Sequence, residues 1–218
     1  MAKHDMKEDR FVTSMARGAS YAKENIQSVV VVVILALVFI AGIVLLGYHM
    51  SSKKTNAQRI LGVAQVAYKV GDYLEARDSL LVLHEKYPKS EPAKVGNFLL
   101  GHIYYATGMP DSAEVFWKKF LDRDPKDKDM IVGAMAGLAG VMADRGEYRN
   151  AAVELERIYN DYPDFFDRAN LLYKSAMNYR AAGEKAKTTE LLAKFIEEYP
   201  DDPMTVKAKF FLAAEEAA

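Results

Sequence analysis

The chain has 218 residues, half of them apolar, which suffices for one packed domain and falls short of two of ordinary size. Its 29 basic and 30 acidic side chains leave a formal charge of −1, so no global field draws it onto nucleic acid. The absence of cysteine excludes a disulfide framework, a thiolate nucleophile, an iron–sulfur or cysteine zinc site, and the cysteine-attached anchor of a lipoprotein. The mean hydropathy of −0.13 conceals a segregation, because every charged residue lies outside residues 25–52.

Residues 1–28 read as a short amphipathic segment. Phe11, Met15, Ala19, Ala22 and Ile26 recur at helical spacing among five basic and four acidic side chains. Such a stripe suits a helix lying on a membrane surface or docking a cytoplasmic partner, and suits equally a solvated extension of the apolar segment beyond it.

From Val29 to Tyr48 only Gly42 and Gly47 fall outside the apolar set. A helix of twenty residues spans roughly the 30 Å of a bilayer's hydrocarbon core. The β-branched run Val29–Ile34 is a poor helix former in water, but lipid forces every backbone group to bond internally, so residues 29–48 are expected to form one transmembrane helix. A core helix would keep a polar face, and GYHMSSKK offers no small-x-small cleavage site for a signal peptide. Arg10, Arg17 and Lys23 before the span balance Lys53, Lys54 and Arg59 after it, so charge does not orient it. A short uncleaved start commonly stays inside, and the expected topology is a cytoplasmic N-terminus with the C-terminal domain outside the cytoplasm. Residues 49–56 form a basic neck, and Lys53, Lys54 and Arg59 are candidates for contact with anionic headgroups beneath a domain whose residues 71–218 carry 20 basic and 26 acidic side chains.

The remainder repeats. Gly71, Gly108, Gly146 and Gly183 are 37, 38 and 37 residues apart, and each is followed at +17 by Pro88, Pro125, Pro163 or Pro200. Ala76, Ala113 and Ala151 stand five residues after the first three glycines, with Thr188 in the fourth. A helix ended by a glycine at positive φ, then a second helix stopped by proline, is a helical hairpin. The alanine is small where the two helices come closest. A lone hairpin cannot bury its apolar face, so the four units 57–88, 94–125, 132–163 and 169–200 must stack, with a capping helix at 203–216 begun by Asp202 and Pro203. The fold class is therefore all-α: one membrane helix followed by a right-handed α-solenoid over residues 57–218.

In LLGHIYYATGMPDSAEVFWKKFLDRDP, residues 99–125, the positions Leu100, Gly101, Tyr104, Ala113, Trp117 and Pro125 resemble the tetratricopeptide repeat pattern, with Phe120 standing where that pattern has a small residue. That family's period is 34 residues, so each unit here is longer, in the inter-repeat turn or the second helix. The layout of short cytoplasmic start, membrane helix and repeats resembles the ancillary subunit family of the bacterial SecYEG translocon, which implies a bacterial inner membrane with the repeat domain periplasmic, and a role beside the export channel or in handing on exported chains. YP-ended repeats are also similar to those of outer-membrane assembly lipoproteins and Tol-Pal-associated division coordinators, from which the missing cysteine and the uncleaved anchor separate this chain.

No residue pattern points to catalysis. His84 begins HEKYP, which lacks the second histidine of a zinc motif, and the acidic run Asp122, Asp124, Asp127, Asp129 lacks the glycine and glutamate of a calcium loop. The chain is expected to be no enzyme, to hold no cofactor or metal, and to take protein partners and membrane lipids rather than nucleic acid or a small-molecule substrate. The resemblance implies a groove lined by the first helix of each hairpin. Its offsets select Gln58, Leu61, Gln65, Tyr68 and Lys69 in the first repeat, Val95, Phe98, His102 and Tyr105 in the second, and Asn170, Tyr173, Met177 and Arg180 in the fourth. In the third they fall on Gly133, Ala136, Gly140 and Ala143, all small, and then on Asp144, which predicts an aromatic-rich groove with a smooth floor where an apolar or helical partner segment lies close to the backbone. The competing reading is that these aromatics pack helix on helix.

Overall fold

The computed structural model describes residues 13–16, 18, 19, 23 and 25–217, apart from the side chain of His49. It divides into two compact units, Met1–Thr55 and Asn56–Ala218. Phe11 and Ala22 of the N-terminal stripe lie outside the described residues.

Helix α1 runs Ile26–Lys69. In the first unit its β-branched run is helical, and its large apolar side chains from Val30 to Leu46 are exposed, as are Lys53 and Lys54. By length and composition this is a helix able to cross a membrane, as an anchor or a signal sequence does.

In the second unit the end of α1 pairs with α2 (Tyr73–Lys86), followed by the hairpins α3 (Glu91–Ala106) with α4 (Pro110–Leu121), α5 (Lys128–Asp144) with α6 (Tyr148–Asp161), and α7 (Arg168–Ala181) with α8 (Lys185–Glu198). Helix α9 (Thr205–Ala217) packs on α8. The four glycines that set the period have φ of 82°, 76°, 81° and 75°. Each closes its first helix with the same pair of bonds: Gly71 N–H to Tyr68 O and Asp72 N–H to Ala67 O recur as Gly108 to Tyr105 with Met109 to Tyr104, and likewise at Gly146 and Gly183. This is the Schellman motif, which satisfies carbonyls the helix would otherwise leave orphaned.

Ala76, Ala113, Ala151 and Thr188 are fully buried inside their hairpins. The threonine is accommodated because its hydroxyl donates to Glu184 O at 3.0 Å, leaving only apolar atoms to pack. Side-chain oxygens of Asp72, Ser90 and Asp127 cap α2, α3 and α5, each cap contributing about 1 kcal/mol. The extra length over the 34-residue period lies in the turns between hairpins, residues 87–90, 122–127, 162–167 and 199–204. The capping helix begins two residues later than its sequence suggests: Asp202 accepts from Met204 N, and Thr205 donates to Tyr199 O before the helix proper starts.

Trp117, Phe120, Tyr159 and Phe195 are the largest fully buried side chains, and burial of each such group stabilises by roughly 1.5–3 kcal/mol. Polar bonds also cross between repeats. Ser175, wholly buried, donates to Ala152 O at 2.8 Å, and Arg123 donates to Pro88 O and Ser90 O at 3.2 and 3.1 Å.

Candidate functional site: a groove across the middle repeats

The glycines and alanines of α5 admit the aromatic side chains of the preceding repeat. A Cβ on Gly133 would stand 3.3 Å from Phe98, one on Gly140 3.0 Å from the Tyr105 hydroxyl, and one on Gly137 2.5 Å from the Trp117 ring. Trp117 also lies against the backbone of Gly101 on α3, where a Cβ would collide with its Cδ1 and Nε1. The result is a continuous aromatic row: Phe98 meets His102 edge-on at 4.5 Å, His102 meets Trp117 at 5.2 Å, and Tyr105 tilts over Trp117 at 5.6 Å.

Beyond this row a groove of about 680 Å³ opens across α3, α5 and α7. Phe98, His102, Tyr105, Gly133, Ala136, Gly140 and Ala143 line it together, joined by Asn170, Lys174 and Asn178 of α7 and by Phe165 and Phe166 of the preceding turn. The smooth floor expected at α5 is therefore partly covered, since Phe98 and Tyr105 rest on Gly133 and Gly140 at its edge, while Ala136 and Ala143 carry no ring of the preceding repeat. Tyr105 is 36% exposed, so it packs and faces solvent at once.

Tyr68, Tyr173, Met177 and Arg180 are not brought into this groove. Tyr68 packs against Tyr73 in the first hairpin at 5.7 Å. Tyr173 packs on Phe195, and Met177 belongs to the apolar cluster that also holds Phe211 and Leu212 of α9. Arg180 donates to Glu215 of α9 at 2.8 Å and covers the Phe211 ring. The capping helix thus covers the Arg180 end of the fourth repeat, where the pattern read from sequence assumed an open face, while Tyr173 packs within its own hairpin and Asn170, Lys174 and Asn178 still reach the groove. Arg59, like Lys53 and Lys54 of the first unit, is exposed on α1.

The sequence reading missed Trp117, Phe165, Phe166 and Lys174 as groove residues. Phe166 is 83% exposed, with its ring against Phe165 at 4.7 Å. The signal was present: the turn DYPDFFD carries two adjacent aromatics, whereas the turns KYPKSE and DRDPKDK carry none after their proline.

Burial and a hydrogen bond to Asp144 push the Tyr105 hydroxyl up to about 12, so it donates as a neutral phenol. Burial holds His102 below the usual imidazole range, and its Nε2 has no partner among the described residues. This is an aromatic, neutral interior with a carboxylate rim, suited to gripping a chain segment.

The profile of the tetratricopeptide repeat-like domain matches residues 20–165, a span that takes in the apolar part of α1, and a tetratricopeptide repeat profile matches residues 171–202. No curated protein matches the chain. Among solved structures, a tetratricopeptide repeat protein from Parabacteroides merdae is 15% identical, with a TM-score of 0.62 over 75% of this chain and 61% of that one. A MamA protein is 19% identical, with a TM-score of 0.58 over 74% of this chain and 82% of its own. These likenesses carry the fold, and the repeats suggest a protein–protein interaction scaffold. On the match over residues 20–165, the chain belongs to the tetratricopeptide repeat-like domain family.

Proposed function

We propose that this protein is a membrane-anchored, non-enzymatic interaction scaffold of the bacterial cell envelope that holds a segment of a partner protein in the groove across α3, α5 and α7. One observation carries the reading: three successive first helices leave an aromatic-lined groove open between Tyr105 and Phe166. The exposed apolar face of α1 from Val30 to Leu46 supports the anchor. In this reading the N-terminus is cytoplasmic, the repeats are periplasmic, and Lys53, Lys54 and Arg59 meet anionic headgroups. The partner is the export channel or a chain leaving it. An envelope-assembly or division complex using the same groove is the second reading, favoured by the YP-ended turns.

Co-purification in mild detergent separates the two, with the wild-type chain compared against a Tyr105→Ser/Phe166→Ser variant. Recovery of the export channel by the wild type and its loss from the variant supports the first reading. Recovery of assembly or division proteins in its place supports the second. Retention of every partner by a folded variant overturns the groove as the interface.

A further inference from the structure

The charge around the groove specifies what it holds, on the premise that the groove is the interface. Asp129, Asp144 and Asp167 all line it, and among the described residues none of the three forms an ion pair, while Lys174 is the single ammonium facing them. Asp167 accepts a hydrogen bond from Asn170 at 2.9 Å.

Asp144 is the most telling. It is the last residue of α5, so its carboxylate sits at the negative end of a helix dipole, where an anion is disfavoured and a cation is stabilised. Arg145 follows it directly but turns to the neighbouring hairpin, donating to Asp111 and Glu114 at 2.5 Å each. The Tyr105 hydroxyl, whose pKa burial and Asp144 together raise, is uncharged at neutral pH and does not neutralise that carboxylate. Carboxylate and helix end therefore present two additive attractions to a cation, and among the described residues no cation pairs with Asp144.

Asp129 stands in the first turn of the same helix. Fifteen residues at 1.5 Å each separate the two acids by about 22 Å, the reach of roughly seven residues of extended chain. Between them lie the aromatic row and Ala136.

We infer that the groove selects an extended segment of about seven residues with an apolar or aromatic centre and a lysine or arginine near each end, the cation at one end docking on Asp144 and the C-terminus of α5. Acidic or neutral segments of the same apolar content are rejected by the carboxylate rim.

The test is calorimetric titration of the full chain in detergent with two synthetic heptapeptides sharing one Phe-Leu-rich centre, one with lysine at both ends and one with glutamate. The lysine peptide is expected to bind at least tenfold more tightly. Its affinity should fall severalfold in Asp144→Asn and in Asp129→Asn, fall in Phe166→Ser, and weaken as salt is raised. If the glutamate peptide binds equally or better and Phe166→Ser weakens it, the cationic preference is overturned while the groove stands as the interface. Lysine-peptide affinity unchanged in both aspartate variants overturns the preference in the same way. If neither peptide binds, or binding is indifferent to Phe166→Ser, the groove reading and the inference on it fall together.

Discussion

Trp117 of one hairpin is seated directly on Gly137 of the next, so closely that a Cβ at Gly137 would come within 2.5 Å of the indole Cη2. The pyrrole end of the same ring lies on Gly101. The tryptophan is thus held between two helix backbones, 1% exposed, and it sets the spacing of the second repeat against the third.

Gly137→Ala is therefore expected to destabilise the repeat domain by about 1–3 kcal/mol, because overpacking a rigid ring outweighs the better helix propensity of alanine. Gly62→Ala provides the contrast. That glycine is also inside a helix, but a Cβ there meets nothing within 4 Å, so the same substitution should stabilise by about 0.5–1 kcal/mol. Urea unfolding followed by the emission of the only tryptophan in the chain measures both; a neutral or stabilising Gly137→Ala would show that the ring is free to shift.

The four periodic glycines answer to backbone conformation and not to space. At Gly108 a Cβ would find open surroundings, yet φ is 76°. Gly108→Ala should cost about 1–2 kcal/mol, the penalty of a left-handed conformation for an L-residue. Gly108→Asn should cost less, since asparagine tolerates that region. Equal unfolding midpoints for alanine and asparagine would contradict the conformational origin.

These glycines, with their prolines and alanines, are what made the hairpins legible. A period shared by three residue types marks equivalent turns, and Leu100, Gly101, Tyr104, Ala113 and Trp117 mark one unit at all but the position of Phe120. The groove was legible at Phe98, His102 and Tyr105 and on α5, because local offsets choose a helix face. It was not legible at Tyr173, Met177 and Arg180, since whether that face stays open depends on where α9 packs, and α9 is a long-range neighbour. The use of Gly137 was hidden for the same reason: its partner Trp117 is in another repeat, and a glycine's spacing says nothing of which ring lies on it. The structure also alters the natural choice of groove variant. Phe98 packs on Phe120 at 5.4 Å and on Gly133, so its replacement by serine would damage the core, whereas Phe166 reports on the groove alone.

Acid should weaken the fold through two histidines. Burial lowers His102, and burial together with the nearby Lys119 and Arg123 lowers His84. With the folded pKa below 6.5, the unfolded chain binds more protons as pH falls, so stability contributed by these groups is complete above about pH 6.5 and declines below it. The urea midpoint should drop between pH 7 and pH 5, and His102→Gln should flatten that dependence. Lys119→Gln, by relieving the charge beside His84, should flatten it as well. A wild-type midpoint constant over this window would show that neither histidine is the source of acid sensitivity.

The orientation of the chain is open to a direct labelling test, because it contains no cysteine. Ser90 is an unsuitable site for a reporter: its hydroxyl accepts from Ala93 N at 3.2 Å and donates to Tyr87 O at 2.8 Å, capping α3, and its loss would cost about 1 kcal/mol. Lys89, exposed in the adjoining turn, serves instead, with Ser14 as the reporter on the other side of the apolar segment. In cells whose outer membrane is permeabilised, a membrane-impermeant maleimide should label Lys89→Cys and spare Ser14→Cys, both being labelled after detergent lysis. Labelling of Ser14→Cys alone would place the repeats in the cytoplasm and limit their partners to cytoplasmic proteins. Labelling of both in intact cells would mean that residues 29–48 do not span the membrane, and the anchored reading would fall with them.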